Sequence, residues 1–258
     1  MKVWNNTRNA KIPFDVQWND IDYMDNLNDF TYDKTTYSGL PEFVELIHKV
    51  GMHYVMIIDP GVSGGEKSGT YPPYDEGMKM DIFIKNSTGQ VLIGRVWNKS
   101  GKTVFPDFTN PNATEYWFRQ LKRFHSQVAF DGAWLDMNEI SNYVDGSFYG
   151  CPKNEFENPP YVPGNQKLQK GSLCMSAKHY VGVQYNVHNL YSTYETKVTN
   201  EALKKLRNNK RPFIISRSTF SGQGHFGGHW SGDIFSNFVD MRYSIPCNKL
   251  IFSKFNLF

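Results

Sequence analysis

Phe130-Asp131-Gly132-Ala133-Trp134-Leu135-Asp136-Met137-Asn138-Glu139 is the stretch on which the fold turns. Residues 130–135 are short and apolar apart from Asp131, and they end abruptly in carboxylates and an amide. A buried strand that delivers acidic side chains to the open end of a sheet reads this way. The same pattern recurs outward from it. Residues 14–18 run into Asn19-Asp20-Ile21-Asp22, residues 54–58 into Asp59-Pro60, and residues 212–216 into Arg217. Between them lie helical patterns at 40–50, 112–128 and 188–206. The first has Pro41 early and Gly51 as its stop. Repeated β-then-α units with polar groups at each strand's C-terminal end predict an α/β fold with a parallel sheet, here an incomplete (β/α)8 TIM barrel.

Two segments break the rhythm. Residues 61–110 are rich in Gly, Pro and aromatics, with strand-like runs at 81–84 and 91–97, and predict a β-rich insertion after a barrel strand. Residues 142–176 predict a long loop, and loops of that length are often functional. Cys151 and Cys174 both lie in it, about two dozen residues apart. In an oxidising compartment they are expected to form a bridge that pins the loop, with Cys247 left unpaired; buried free thiols are the alternative.

With 258 residues, the chain allows one large α/β domain or two small ones. Its 16% aromatic content fits a large core plus an aromatic-lined cleft, and fits disorder badly. A net charge of +3 without long like-charge runs argues against nucleic acid and anionic membranes as partners. No apolar stretch reaches the roughly 20 residues of a membrane span, so this segment is expected to make no membrane contact. The N-terminus has no signal-peptide pattern, and the chain reads as beginning within a fold. Asn-x-Ser/Thr triplets at Asn5, Asn86, Asn98 and Asn112 are candidate glycosylation sites and point to the secretory pathway, whether extracellular, cell-surface or lysosomal.

The second acidic cluster is Gly227-Gly228-His229-Trp230-Ser231-Gly232-Asp233. It places Asp233 near Trp230, as Asp136 lies near Trp134. Sugar rings stack on indole faces and glycosidic bonds are cleaved by carboxylate pairs, so the two clusters suggest chemistry on a sugar. Competing motifs fail on physical grounds. Gly222 to Gly227 matches G-x-G-x-x-G but lies off a strand-to-helix turn. His225, His229 and Asp233 have helical metal-ligand spacing, yet interleaved glycines break that helix, and no metal site is expected. Asp131 precedes its strand and is read as structural. Glu139 is a loop carboxylate that could orient the site.

Three segments taken together resemble glycoside hydrolase family 31, in particular its animal α-glucosidases. They are Trp18-Asn19-Asp20-Ile21-Asp22-Tyr23-Met24-Asp25, Trp134 through Glu139, and Arg217-Ser218-Thr219-Phe220 through Asp233. The resemblance runs from about Pro13 to Pro246 and includes Asp29-Phe30-Thr31-Tyr32 and residues 104–111. It implies that Asp136 is the nucleophile and Asp233 the general acid/base of a retaining double displacement. It implies that Asp20 and Arg217 bind the non-reducing glucose. Trp97, Trp134, Met137, Trp230 and Val62 would line the pocket. No metal or organic cofactor is implied. The family's pattern also implies that the chain supplies about strands two to six, without the remaining strands and flanking β domains. After Ser244-Ile245-Pro246 the residues diverge from the family.

The expected activity is release of terminal α-linked glucose from maltose-like oligosaccharides. Within the family, isomaltose, sucrose or N-glycan glucose are alternative substrates. A non-catalytic carbohydrate-binding or accessory protein with a degenerate barrel is the reading from another class, and retention of both Asp136 and Asp233 argues against it.

Overall fold

The computed structural model describes residues 1–162, 164 and 166–252, with backbone alone from 246 onward. In chain order the main elements are α1 (Lys2–Asn9), β1 (Val16–Asn19), α2 (Leu40–Lys49), β2 (His53–Ile58), β3 (Val62–Ser63), α3 (Pro72–Lys79) and β4 (Thr103–Val104). Then come α4 (Ala113–His125), β5 (Gly132–Leu135), β6 (Lys178–His179), β7 (Gly182–Val183), α5 (Gln184–Val187), α6 (Tyr191–Leu206), β8 (Phe213–Ser216), β9 (Gly228–His229) and α7 (Phe238–Phe252).

Five strands form one sheet in the order β1-β2-β5-β8-β9, and every neighbouring pair is parallel. The spatial order follows the chain order. A sheet that winds in one direction this way curls toward a barrel, whereas a doubly wound sheet reverses at a switch point. β2 is buried along all but its first residue, because helices cover one side and the barrel interior the other. The helices present apolar stripes to the sheet. α2 buries Leu40, Phe43, Val44 and Ile47, and α4 buries Tyr116, Trp117, Leu121 and Phe124. Between the two layers, Trp117 packs edge-on against Phe30 and Phe108, each with ring centroids 5.0 Å away.

Asp131 sits at the strand's N-terminal end, where the sequence places a structural acid. It accepts from the Tyr54 N–H (2.8 Å) and pairs with His48 at 2.7 Å, His53 at 3.5 Å and Arg207 at 3.3 Å. These partners hold its carboxyl below the usual range despite partial burial.

Two differences from the sequence reading stand out. Residues 61–110 carry a helix, α3, entered through Pro72 at its first position. The only paired strands among the described residues there are the two-residue β3 and β4, with single bridges at Phe83–Pro106, Lys85–Val91 and Gly94–Thr103. Ile82, Phe83, Leu92, Val96 and Phe105 of this segment join the main core, so the insertion packs as part of the barrel wall. α1 was not foreseen; none of its residues is buried, and Trp4 is the side chain it sets against the core, edge-on to Phe43 at 6.2 Å. The Cys151–Cys174 bridge is formed, with Cα atoms 5.4 Å apart. The pairing state expected of Cys247 lies outside the described side chains, as do the divergent final residues 253–258.

Candidate functional site

Register explains why the functional side chains meet. Ile58 pairs with Leu135 and Leu135 with Ser216, so Asp59, Asp136 and Arg217 stand level, one step beyond three adjacent strands. The ladder continues through them: the Asp136 N–H donates to Ile58 O (3.3 Å) and the Arg217 N–H to Leu135 O (3.0 Å). Aligned residues of a parallel sheet point to the same side.

Arg217 is the cation of this row. Its Nη1 lies 2.8 Å from Asp136 Oδ1. Its Nε and Nη2 form a fork on Glu139, at 2.9 and 3.1 Å, and Nη2 also reaches Met137 Sδ at 3.2 Å. Planar, two-point pairing of this kind fixes both partners and suits arginine in a way lysine cannot match. Burial works against the charged guanidinium, but the carboxylates of Glu139 and Asp136 outweigh it and raise its pKa. Glu139, read from the sequence as a possible orienting group, therefore holds Arg217.

Asp136 is 7% exposed. Burial pushes its carboxyl above the ordinary range; Arg217 and the Met137 N–H, which donates to Oδ1 at 2.8 Å, oppose that push, while Glu139 and Asp233 add to it. Met137 adopts φ = 56°, the left-handed region that costs a side-chain-bearing residue energy. That bend lets one residue's N–H serve its neighbour's carboxylate. Asn138 ties the strand ends together: its Nδ2 donates to Ser216 Oγ (2.8 Å) and its Oδ1 accepts from the Ser218 N–H (3.0 Å).

Asp233 lies in the loop after β9 and is exposed. Two observations put this loop beside the Asp136–Arg217 pair. A Cβ on Gly232 would sit 3.4 Å from Arg217 Cδ, and Asp136 feels the Asp233 charge. Trp134 and Trp230 meet edge-to-face at 5.5 Å, and Trp18 lies 5.7 Å from Trp134. All three are partly open, giving indole surface next to the acids. Trp97 packs against the exposed Tyr143 at 6.1 Å, and Tyr143 feels the charges of Asp59, Arg217 and Asp136, so this second aromatic pair stands near the same row. Asp20 follows β1 and is exposed; its Oδ1 accepts from the Ile21 N–H at 2.7 Å.

Two sequence expectations are corrected. Val62 is fully buried, paired with Val104 across β3 and β4, and cannot line an open pocket. Asn98 is 4% exposed and its Nδ2 donates to Thr103 Oγ1 at 2.6 Å, so the nitrogen that would carry a glycan is enclosed. Asn5 and Asn112 are exposed and Asn86 half-buried.

Sequence reasoning missed the buried acids in and behind the row. Asp59 and Asp29 are each 1% exposed, and Glu195 of α6 is fully buried. The Asp59 N–H donates to Asp29 Oδ1 at 2.7 Å, and neither Asp59 carboxylate oxygen has a partner among the described residues. Burial raises all three well above the carboxylate range, with Asp29 pushed up to about 8. The sequence signal for Asp59 was its place at a strand's C-terminal end; Asp29 stood in a segment of the family resemblance without a role assigned to it, and nothing local marked Glu195. The one clustered set of metal-type ligands among the described residues, Cys151, Glu157 and Cys174, has its sulfurs consumed in the bridge.

The family model for the glycosyl hydrolases family 31 TIM-barrel domain matches residues 1–256. The chain is 49% identical to mouse lysosomal alpha-glucosidase over 95% of its own length and 26% of the relative's. It is 41% identical to human intestinal sucrase-isomaltase over 99% of its length and 14% of that protein. Among solved structures, the catalytic subunit in an ER glucosidase II complex superposes with a TM-score of 0.79 at 26% identity, covering 97% of this chain and 25% of the other. The chain thus spans about a quarter or less of these relatives. The parallel sheet, the acid–arginine row at its C-terminal edge and the match along nearly the whole sequence agree: the chain belongs to glycoside hydrolase family 31.

Proposed function

We propose that the full-length protein is a retaining α-glucosidase of the secretory pathway that releases terminal non-reducing glucose from maltose-like α-linked oligosaccharides. The observation that carries this reading is the clamp on Asp136. One carboxylate oxygen, Oδ1, is held by Arg217 and the Met137 N–H. The other is left to attack, with Asp233 in the adjoining loop and indole faces alongside.

In the first step Asp136 attacks the anomeric carbon while the glycosidic C–O bond breaks. Asp233, protonated, gives its proton to the leaving oxygen. A glycosyl ester on Asp136 results. In the second step Asp233, now a carboxylate, takes a proton from water as the water oxygen displaces Asp136. Glucose leaves with its original anomeric configuration and both acids regain their starting states. Arg217 favours the anionic form of Asp136 that the first step requires and that burial disfavours. Asp20, exposed after β1, would hydrogen-bond sugar hydroxyls, and Trp134, Met137, Trp230 and Trp97 would form the walls. The barrel strands and β domains outside this chain would complete the pocket.

Hydrolysis of p-nitrophenyl α-glucoside by the full-length gene product, with NMR of the earliest product, tests the reading. Release of the α anomer is expected. Early β-glucose would refute retention, and inactivity on every α-glucoside would refute the function. The order of kcat/KM among maltose, isomaltose, sucrose and a glucosylated N-glycan ranks the substrates.

A further inference from the structure

A cavity of about 330 Å³ lies apart from the acid–arginine row, between the turn at residues 86–90 and the disulfide-pinned loop. Its lining includes Asn86, Ser87, Ile93, Ser147, Tyr149 and Pro152. That volume is at the lower end of small-ligand sites. The lining mixes hydroxyls with an aromatic ring, which is the composition that receives a pyranose: ring stacking on the apolar face, hydrogen bonds at the edges.

Both walls are held in place. Tyr149 is 79% exposed, yet its turn is fixed. Its N–H donates to Ser147 Oγ (3.3 Å), that hydroxyl donates to Gly150 O (2.6 Å), the Phe148 N–H donates to Ile93 O (2.7 Å), and Cys151 anchors the turn to Cys174. Opposite, Asn86 Oδ1 accepts from the Thr88 N–H, the Thr88 hydroxyl and the Gln90 N–H, at 3.0, 2.8 and 2.9 Å. The amide is thereby oriented with its oxygen engaged in the turn, and the side-chain nitrogen is the atom left for modification. Asn86-Ser87-Thr88 is also a glycosylation triplet.

We propose that this cavity is the seat of the chain's own N-linked glycan: the first N-acetylglucosamine on Asn86 packs across Tyr149 and Pro152, with its polar edge toward Ser147 and Ser87. The occupant is attached to a residue that lines the cavity, so its effective concentration there is high and a shallow site suffices. Packing the sugar covers an aromatic ring that otherwise stands rigidly in water, and it ties the turn to the pinned loop. The inference rests on the secretory location proposed above.

The test uses the full-length protein secreted from cells that perform N-glycosylation. Peptide mass mapping is expected to find Asn86 modified. A native digest with an endoglycosidase that cuts between the first two sugars is expected to release this glycan slowly, and Tyr149→Ala to speed release up to about tenfold, the loss of one aromatic packing contact. Tyr149→Phe keeps the slow rate, and release from Asn112, if that site is occupied, is unchanged by either substitution. An unmodified Asn86 in a protein glycosylated elsewhere overturns the proposal alone. Equal release rates in Tyr149→Ala and the unsubstituted protein also overturn it. A protein carrying no glycan at all overturns the location together with it.

Discussion

Replacing Asp29 by Asn is expected to stabilise the protein in neutral solution and to flatten its dependence on pH. Asp29 is 1% exposed and burial holds its carboxyl up to about 8. The unfolded chain ionises the same group near the ordinary 3.8. Between those values the folded state binds the proton and the unfolded state does not, so stability falls as pH rises through the window. Each pH unit is worth about 1.4 kcal/mol, so between about pH 5 and about pH 7.5 this one group costs about 3 kcal/mol. Asn keeps an Oδ1 that can accept the Asp59 N–H and has no proton to lose. Urea unfolding of the full-length protein at the two pH values, followed by tryptophan fluorescence, measures the difference. Asp29→Asn should lose about 3 kcal/mol less than the unsubstituted protein over that interval. Parallel losses in the two proteins would refute the assignment of a buried, proton-bearing Asp29.

Other outcomes follow from the same row of residues. Asp136→Asn should abolish turnover, while Asp233→Asn should slow substrates with poor leaving groups far more than activated aryl glucosides; equal losses on both would remove Asp233 from the acid role. Arg217→Gln takes away the cation that opposes burial at Asp136, so the acid limb of kcat/KM should move to higher pH; an unmoved limb would show that Arg217 does not set the nucleophile's charge. Reducing the Cys151–Cys174 bridge, which closes a sequence separation of 23, should cost roughly 3 kcal/mol on the chain-entropy view. An unchanged Tm after reduction would refute that entropic contribution.

What the sequence made legible was whatever has a local cause. Strands such as Phe213–Ser216 announce themselves through apolar runs, helices such as Ala113–His125 through a periodic stripe, Asp136 and Arg217 through their place at the ends of such runs, and Asp233 through its place near Trp230 in a glycine-rich cluster. What escaped depends on contacts far apart in the chain. α3 is a short helix inside a stretch dense with Gly and Pro, and its place is made by packing: the ring of Tyr74 stacks on Phe83 at 5.9 Å, and Tyr116 of α4 donates to Pro73 O at 2.8 Å. Val62 was expected in the pocket because the family resemblance implies a lining residue there. The chain turns there into the β3–β4 pair, and its side chain goes to the core instead. Asn98 matched a glycosylation triplet, but Thr103 five residues on captures its amide.

The buried acids carry the same lesson into function. Asp29, Asp59 and Glu195 come from three separate elements, so no spacing in the sequence unites them, yet each loses solvent in one place behind Asp136 and Arg217. A stable scaffold would fill such a space with apolar side chains, because a buried carboxyl group needs either a counter-charge or a proton. Arg217 already serves Asp136 and Glu139. The remaining acids must therefore hold protons, and their cost falls as the medium becomes more acidic. If these acids, rather than surface charge, set the pH response, the protein should be most stable on the acidic side of neutrality, and neutralising Asp29 should shift that optimum upward. Arg217 would meanwhile remain committed to Asp136, the one carboxylate in the row whose negative charge the proposed chemistry requires.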